Sequence, residues 1–91
     1  MYGVSLEFDI IFSPKAFKDL KNLDKPTQIR IKEAVTRLKQ VPPQADVQKL
    51  KGGQGNEFRL RVGDWRVVFE YQFQEKEVYI LTIKNRRDAY K

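Results

Sequence analysis

The chain has 91 residues, no cysteine and no histidine, and its 18 basic and 12 acidic side chains leave a net charge of +6. That length fits one domain over residues 1–91 with a thin core, and without cysteine there is no disulfide, thiolate metal site or thiol redox chemistry. Without histidine the usual zinc sites, the serine and cysteine triads and the paired-histidine route to RNA cleavage are excluded, so any catalysis falls to Lys, Arg, Tyr, Asp or Glu.

Hydrophobic residues make up 41% of the chain and aromatic residues 12%, enough for a core. No metal or cofactor is expected, and a cytoplasmic location is. Glu7 and Asp9 interrupt the N-terminal apolar run, and no basic stretch precedes it, so no secretory signal is expected. No run approaches the roughly 18 apolar residues of a membrane span. The basic excess has two readings, a solvated surface or a polyanion partner. It leans toward the C-terminal half, where residues 49–91 hold 10 basic and 6 acidic groups against 8 and 6 in residues 1–48.

In chain order, Val4, Leu6, Phe8, Ile10 and Phe12 alternate with Ser5, Glu7 and Asp9, which predicts a strand with one buried face. Ser13-Pro14 starts a helix, with Ser as N-cap and Pro at the first helical position, burying Phe17 and Leu20. Asp24-Lys25-Pro26 restarts the chain as a second helix to about Gln40. Its stripe is Ile31, Ala34, Val35, Leu38 and Val41, and Pro42-Pro43 ends it. Residues 44–56 read as a polar crossover pinned by Val47 and Leu50. A mobile loop presenting Lys49 and Lys51 is the less favoured reading.

Strand patterning returns at Glu57. Phe58, Leu60 and Val62 alternate with Arg59 and Arg61; Trp65, Val67, Phe69, Tyr71 and Phe73 alternate with Arg66, Val68, Glu70 and Gln72. After a turn at Gln74–Lys76, Val78–Ile83 is apolar on both faces and is placed centrally. The order β-α-α-β-β-β predicts an α+β domain, with two N-terminal helices on one face of an antiparallel sheet.

Gly63-Asp64 suits a two-residue hairpin with a type II′ turn. That turn sets Val62 opposite Trp65, Arg61 opposite Arg66, Leu60 opposite Val67 and Arg59 opposite Val68, so inward residues meet inward residues. Arg61 and Arg66 become neighbours on the exposed face. Like charges there cost up to about 1 kcal/mol, and a fold that accepts this reserves the place for an anion. Guanidinium groups suit phosphate as planar forks that keep their proton. The rival reading is that the side chains splay apart in water. If Tyr79, Leu81 and Ile83 point inward, Lys84 and Arg86 reach the same face. The alternation puts Trp65 in the core, whereas Tyr90 either stacks an RNA base or packs on the sheet.

The run FRLRVGDWRVVFEY, a following strand and then IKNRRDAY resemble the RelE branch of the RelE/ParE toxin superfamily. LKGGQGNEF resembles that family's lead into the hairpin, and FSPKAFKDLKNLDKPTQIRIKEAVTRL its two-helix half, so the resemblance spans nearly the whole chain. It implies a RelE/ParE-like α+β fold and a ribosome-dependent mRNA endoribonuclease acting in the ribosomal A site. It also implies inhibition of translation, and silencing by a cognate antitoxin that is RelB-like and acidic.

By position, the resemblance makes Arg66 the stabiliser of charge on the pentacoordinate phosphorane. Arg61 and Arg59 become phosphate or nucleophile contacts, Arg86 serves the leaving group, and Tyr90 orients a base. Lys49, Lys51, Lys84 and Arg87 would bind phosphate. Many relatives carry His where this chain has Asn85, which removes proton transfer there. Arg stays protonated, and an unperturbed Tyr or Lys titrates near 10. Alignment and electrostatic preorganisation therefore carry the implied catalysis, and activity on free RNA is expected to be weak. The rivals are a ParE-like, non-enzymatic inhibitor of DNA gyrase and an inactive RelE-like homologue.

Overall fold

A computed structural model describes residues 6–41, 43, 45–49 and 57–85. In chain order these form β1 (Leu6–Glu7), β2 (Asp9–Phe12), α1 (Pro14–Lys21) and α2 (Lys25–Thr36), which runs into a 3₁₀ turn at Arg37–Lys39. There follow β3 (Gln40–Val41), β4 (Val47–Lys49), β5 (Glu57–Val62), β6 (Trp65–Gln72) and β7 (Glu77–Asn85). Among the described residues the strands make a five-stranded sheet, ordered β2-β7-β6-β5-β4, and a small β1-β3 pair.

The α+β class stands, and the helices share one core with one sheet face. Ala16, Leu20, Ile31, Val35 and Leu38 pack with Leu60, Val62, Val67, Phe69, Val78, Ile80 and Ile83. The sheet is mixed rather than antiparallel, because β2 runs parallel to β7. A parallel pair needs a long crossover, and here the helices and the meander supply it. Alternation in the sequence reveals a buried face but not the direction of a partner 68 residues away.

The N-terminal strand is split at Phe8, whose N–H donates to the Lys39 carbonyl at 2.7 Å. β1 thereby pairs with β3 and β2 with β7, and Phe8 still lies inward. The expected crossover contains β4, an antiparallel edge strand with Val47 opposite Leu60; Leu50 lies outside the described residues.

In α1 the buried pair is Ala16 and Leu20, one turn apart, and Phe17 is 53% exposed with the Lys21 ammonium 5.2 Å from its ring centre. This corrects the expected burial of Phe17. The small Ala16 side chain lets the helix backbone approach the sheet, where a ring would hold it away. Along α2, Ile31 and Val35 are buried, and Leu38 extends the stripe into the 3₁₀ turn.

Candidate functional site

The hairpin has the register its turn dictates. Gly63 has φ +59°, Lys76 is the only non-glycine with positive φ among the described residues, and Asp64 therefore completes a type II′ rather than a type I′ turn. Val62 pairs with Trp65, Arg61 with Arg66, Leu60 with Val67 and Arg59 with Val68. Leu60 and Val62 are buried below, so Arg59 and Arg61 take the other face. On the far side of β6, Arg66 pairs with Lys84. Three cations thus stand abreast across three strands.

Arg59, Arg61 and Arg66, with Asp46 and Gln48, line a recess of about 100 Å³. Its wall is set by β4. The Gln48 side-chain carbonyl accepts from Arg59 Nη2 at 2.6 Å, and the Asp46 main-chain carbonyl accepts from the Arg61 N–H at 3.0 Å. Among the described residues the one ion pair is Lys15–Asp19, so no carboxylate within 4 Å neutralises Arg61 or Arg66. Two guanidinium forks without a carboxylate partner, together with an ammonium group, make a place for an oxyanion.

Lys84 reaches this row through a bulge. Val68 pairs with Thr82 but Phe69 pairs with Ile80, so Leu81 is the extra residue. Val78 and Ile80 are buried before it and Ile83 after it, which reverses the alternation. Tyr79 and Leu81 are half-buried rather than inward, a correction to the sequence reading. Lys84 nevertheless arrives opposite Arg66, because the bulge and the misassigned parity cancel.

The bulge is held from α1. Ser13 caps that helix by accepting from the Ala16 N–H at 3.0 Å, and its hydroxyl donates to the Leu81 carbonyl at 2.9 Å. The Asp19 carboxylate accepts from the Ile83 N–H at 3.1 Å and from the Thr82 hydroxyl at 2.9 Å, and pairs with Lys15. Burial pushes the Asp19 carboxyl upward, but these bonds from Ile83, Lys15 and Thr82 outweigh it and hold the group below the usual aspartate value.

A family model described as the ParE toxin of the type II toxin-antitoxin system parDE matches residues 10–90. The chain belongs to the RelE/ParE superfamily of type II toxins. A candidate toxin, RelE1, of Methanocaldococcus jannaschii is 29% identical to it over 94% of this chain and 98% of its own. RelE in the archaeal RelE-RelB complex of Pyrococcus horikoshii is 29% identical, with a TM-score of 0.73 over 89% of this chain and 97% of that one. The RelBE2 toxin-antitoxin complex of Mycobacterium tuberculosis gives a TM-score of 0.77 at 21% identity, covering 89% and 93%, and so attests the fold.

Of the toxin's expected site residues, the structure gathers Arg59, Arg61, Arg66 and Lys84 on one face. Lys49 is not among them. It pairs with Phe58, and alternation puts it on the face opposite that of Gln48 and Arg59. Lys51, Arg86, Arg87 and Tyr90 lie outside the described residues. Asn85 ends β7 opposite Trp65, which is half-buried against the core at the foot of the hairpin. Sequence reasoning missed Asp46 and Gln48, which become wall residues only once β4 pairs. It also missed Ser13 and Asp19 as holders of the bulge, since those contacts span more than 60 residues.

Proposed function

We propose that this toxin is a ribosome-dependent mRNA endoribonuclease that inhibits translation. The observation that carries the reading is the row of Arg61, Arg66 and Lys84 beside a recess in which neither guanidinium has a carboxylate partner among the described residues. In the reaction the ribose 2′-oxygen bonds to the adjacent phosphorus as the bond to the 5′-oxygen breaks. The 2′-hydroxyl proton leaves to solvent and the 5′-oxygen takes one up, which gives a 2′,3′-cyclic phosphate and a 5′-hydroxyl.

Arg66, at the centre of the row, stabilises the charge that builds on the phosphorane. Arg61 and Arg59 grip the phosphate from one side and Lys84 from the other. Arg86 serves the leaving oxygen, Tyr90 orients a base, and Lys51 and Arg87 contact flanking phosphates. With arginines that keep their protons, the rate gain comes from alignment and electrostatics, and the ribosome contributes part of the alignment. The work is therefore cytoplasmic, and among the described residues no helix is long and apolar enough to cross a membrane. The partner that silences it is an acidic, RelB-like antitoxin, a reading supported by the RelB complexes of the similar toxins and by the net charge of +6.

The test is to map mRNA 5′ ends in cells after induction. Cuts within translated codons that vanish when translation is blocked, and that are lost in Arg66→Ala together with growth arrest, are expected. The match to the ParE model favours a second reading, inhibition of DNA gyrase without RNA cleavage. Loss of gyrase supercoiling with purified toxin and intact mRNA would establish that reading instead.

A further inference from the structure

A second basic recess lies on the other side of the hairpin turn. Arg30, Glu33, Ala34 and Arg37 fall three, four and seven positions apart, so they share one helix face. With Arg61, Val62 and Gly63 they line a space of about 260 Å³. Arg61 borders both this recess and the first one.

Gly63 leaves room for the Arg30 guanidinium beside the turn. A Cβ at that position would stand 2.9 Å from Arg30 Nη2, 3.2 Å from Cζ and 3.3 Å from Nη1, so the guanidinium end lies close against the turn. The glycine that makes the turn also seats the arginine. Among the described residues none of Arg30, Arg37 and Arg61 forms an ion pair within 4 Å, although Glu33 is part of the lining. Three guanidiniums against one carboxylate leave the lining with a charge of +2.

We propose that Arg30 and Arg37, with Arg61 as the bridge, form a second phosphate subsite that holds the neighbouring phosphates of the same RNA strand. This rests on the RNA-cleaving reading. An RNA backbone fits better than an acidic helix of a protein partner, because a docked amphipathic helix needs an apolar groove. Here only Ala34 and Val62 offer apolar surface. A strand that leaves the first recess past Arg61 meets Arg30 at the turn and Arg37 about two helical turns beyond.

The test uses the full-length toxin and a single-stranded RNA carrying 2′-O-methyl riboses, which binds but cannot be cut. Fluorescence anisotropy is read over a salt series for wild type, Arg66→Ala, Glu33→Gln and the double variant Arg30→Gln/Arg37→Gln. Each lost phosphate contact on a single strand lowers the salt slope by about 0.7, so the double variant should lose about 1.4. Glu33→Gln should bind more tightly than wild type, a gain that no folding defect can produce. If Arg66→Ala weakens binding but the double variant keeps the wild-type slope and Glu33→Gln the wild-type affinity, the second subsite is wrong and the first stands. Unchanged RNA binding with weakened binding of an acidic antitoxin peptide would assign the recess to the protein partner and overturn the proposal. Absence of RNA binding by the wild type at low salt would overturn the second subsite, whereas the ribosome-dependent reading stands or falls on the mapped 5′ ends.

Discussion

Arg66→Thr should make the fold more stable and the toxin inactive. Arg66 has a like charge opposite it on both sides, Arg61 on β5 and Lys84 on β7. Each such cross-strand pair costs about 0.2–1 kcal/mol, and partial exposure with screening keeps both toward the lower part of that range. Removing the central charge relieves both pairs, and threonine is a good strand former, so a gain of roughly 0.5–1 kcal/mol is expected. In a domain of this size that corresponds to a rise in Tm of about 2–6 °C. Thermal melts at low salt should show the rise, and high salt should shrink it. Inorganic phosphate provides a second check. At ten times its Kd it should add about 1.4 kcal/mol to wild type and much less to the variant. Cleavage should fall by about 10²–10³-fold, the usual cost of one lost oxyanion contact. A variant less stable than wild type by more than about 1 kcal/mol would mean that Arg66 holds the sheet together. That result would refute the reading of the row as a strained anion site.

Asp19→Ala should cost about 2 kcal/mol, since it leaves the Ile83 N–H without its charged acceptor. The Asp19 carboxyl is held below its usual value. Its contribution is therefore complete above the unfolded pKa of about 3.9 and is lost as pH falls through the lower folded value. Urea melts should accordingly show the gap between wild type and variant closing in acid, and a gap that stays constant would remove the carboxylate from the account. Gly63→Ala should lose about 1–3 kcal/mol, because φ +59° strains any L side chain; a melt matching wild type would show that the turn can relax. The Tyr71 hydroxyl is buried with no partner among the described residues, and burial pushes its ionisation upward. Tyr71→Phe should therefore leave stability unchanged or raise it by about 1 kcal/mol, and a clear drop in Tm would reveal a hydrogen bond.

The parts of this toxin legible in the sequence are those fixed by neighbours along the chain. Ser13-Pro14 announces the start of α1, Gly63-Asp64 announces the turn, and the turn sets the register of every residue from Arg59 to Val68. Misplaced features depend on distant partners. The parallel pairing of β2 with β7 has no local signature, and neither has the extra residue at Leu81, because both are settled by α1 docking over the sheet. Phe17 shows the same limit on a smaller scale. A helical period is satisfied by Ala16 and Leu20 or by Phe17 and Leu20, and the clearance between helix and sheet decides between them.

This division assigns the two halves of the site to different determinants. Arg61 and Arg66 are set abreast by a turn two residues long, which forms whenever the hairpin forms. Lys84 is set beside them only if the bulge at Leu81 is kept, and the bulge is kept by Ser13 and Asp19 from the other end of the chain. In a regular strand alternation would carry Lys84 to the helix face and turn Ile83 out of the core, so a lysine would have to enter the core in its place or drag the strand end away. The clamp therefore does more than tie α1 to the sheet. It selects which face the end of β7, up to Asn85, presents.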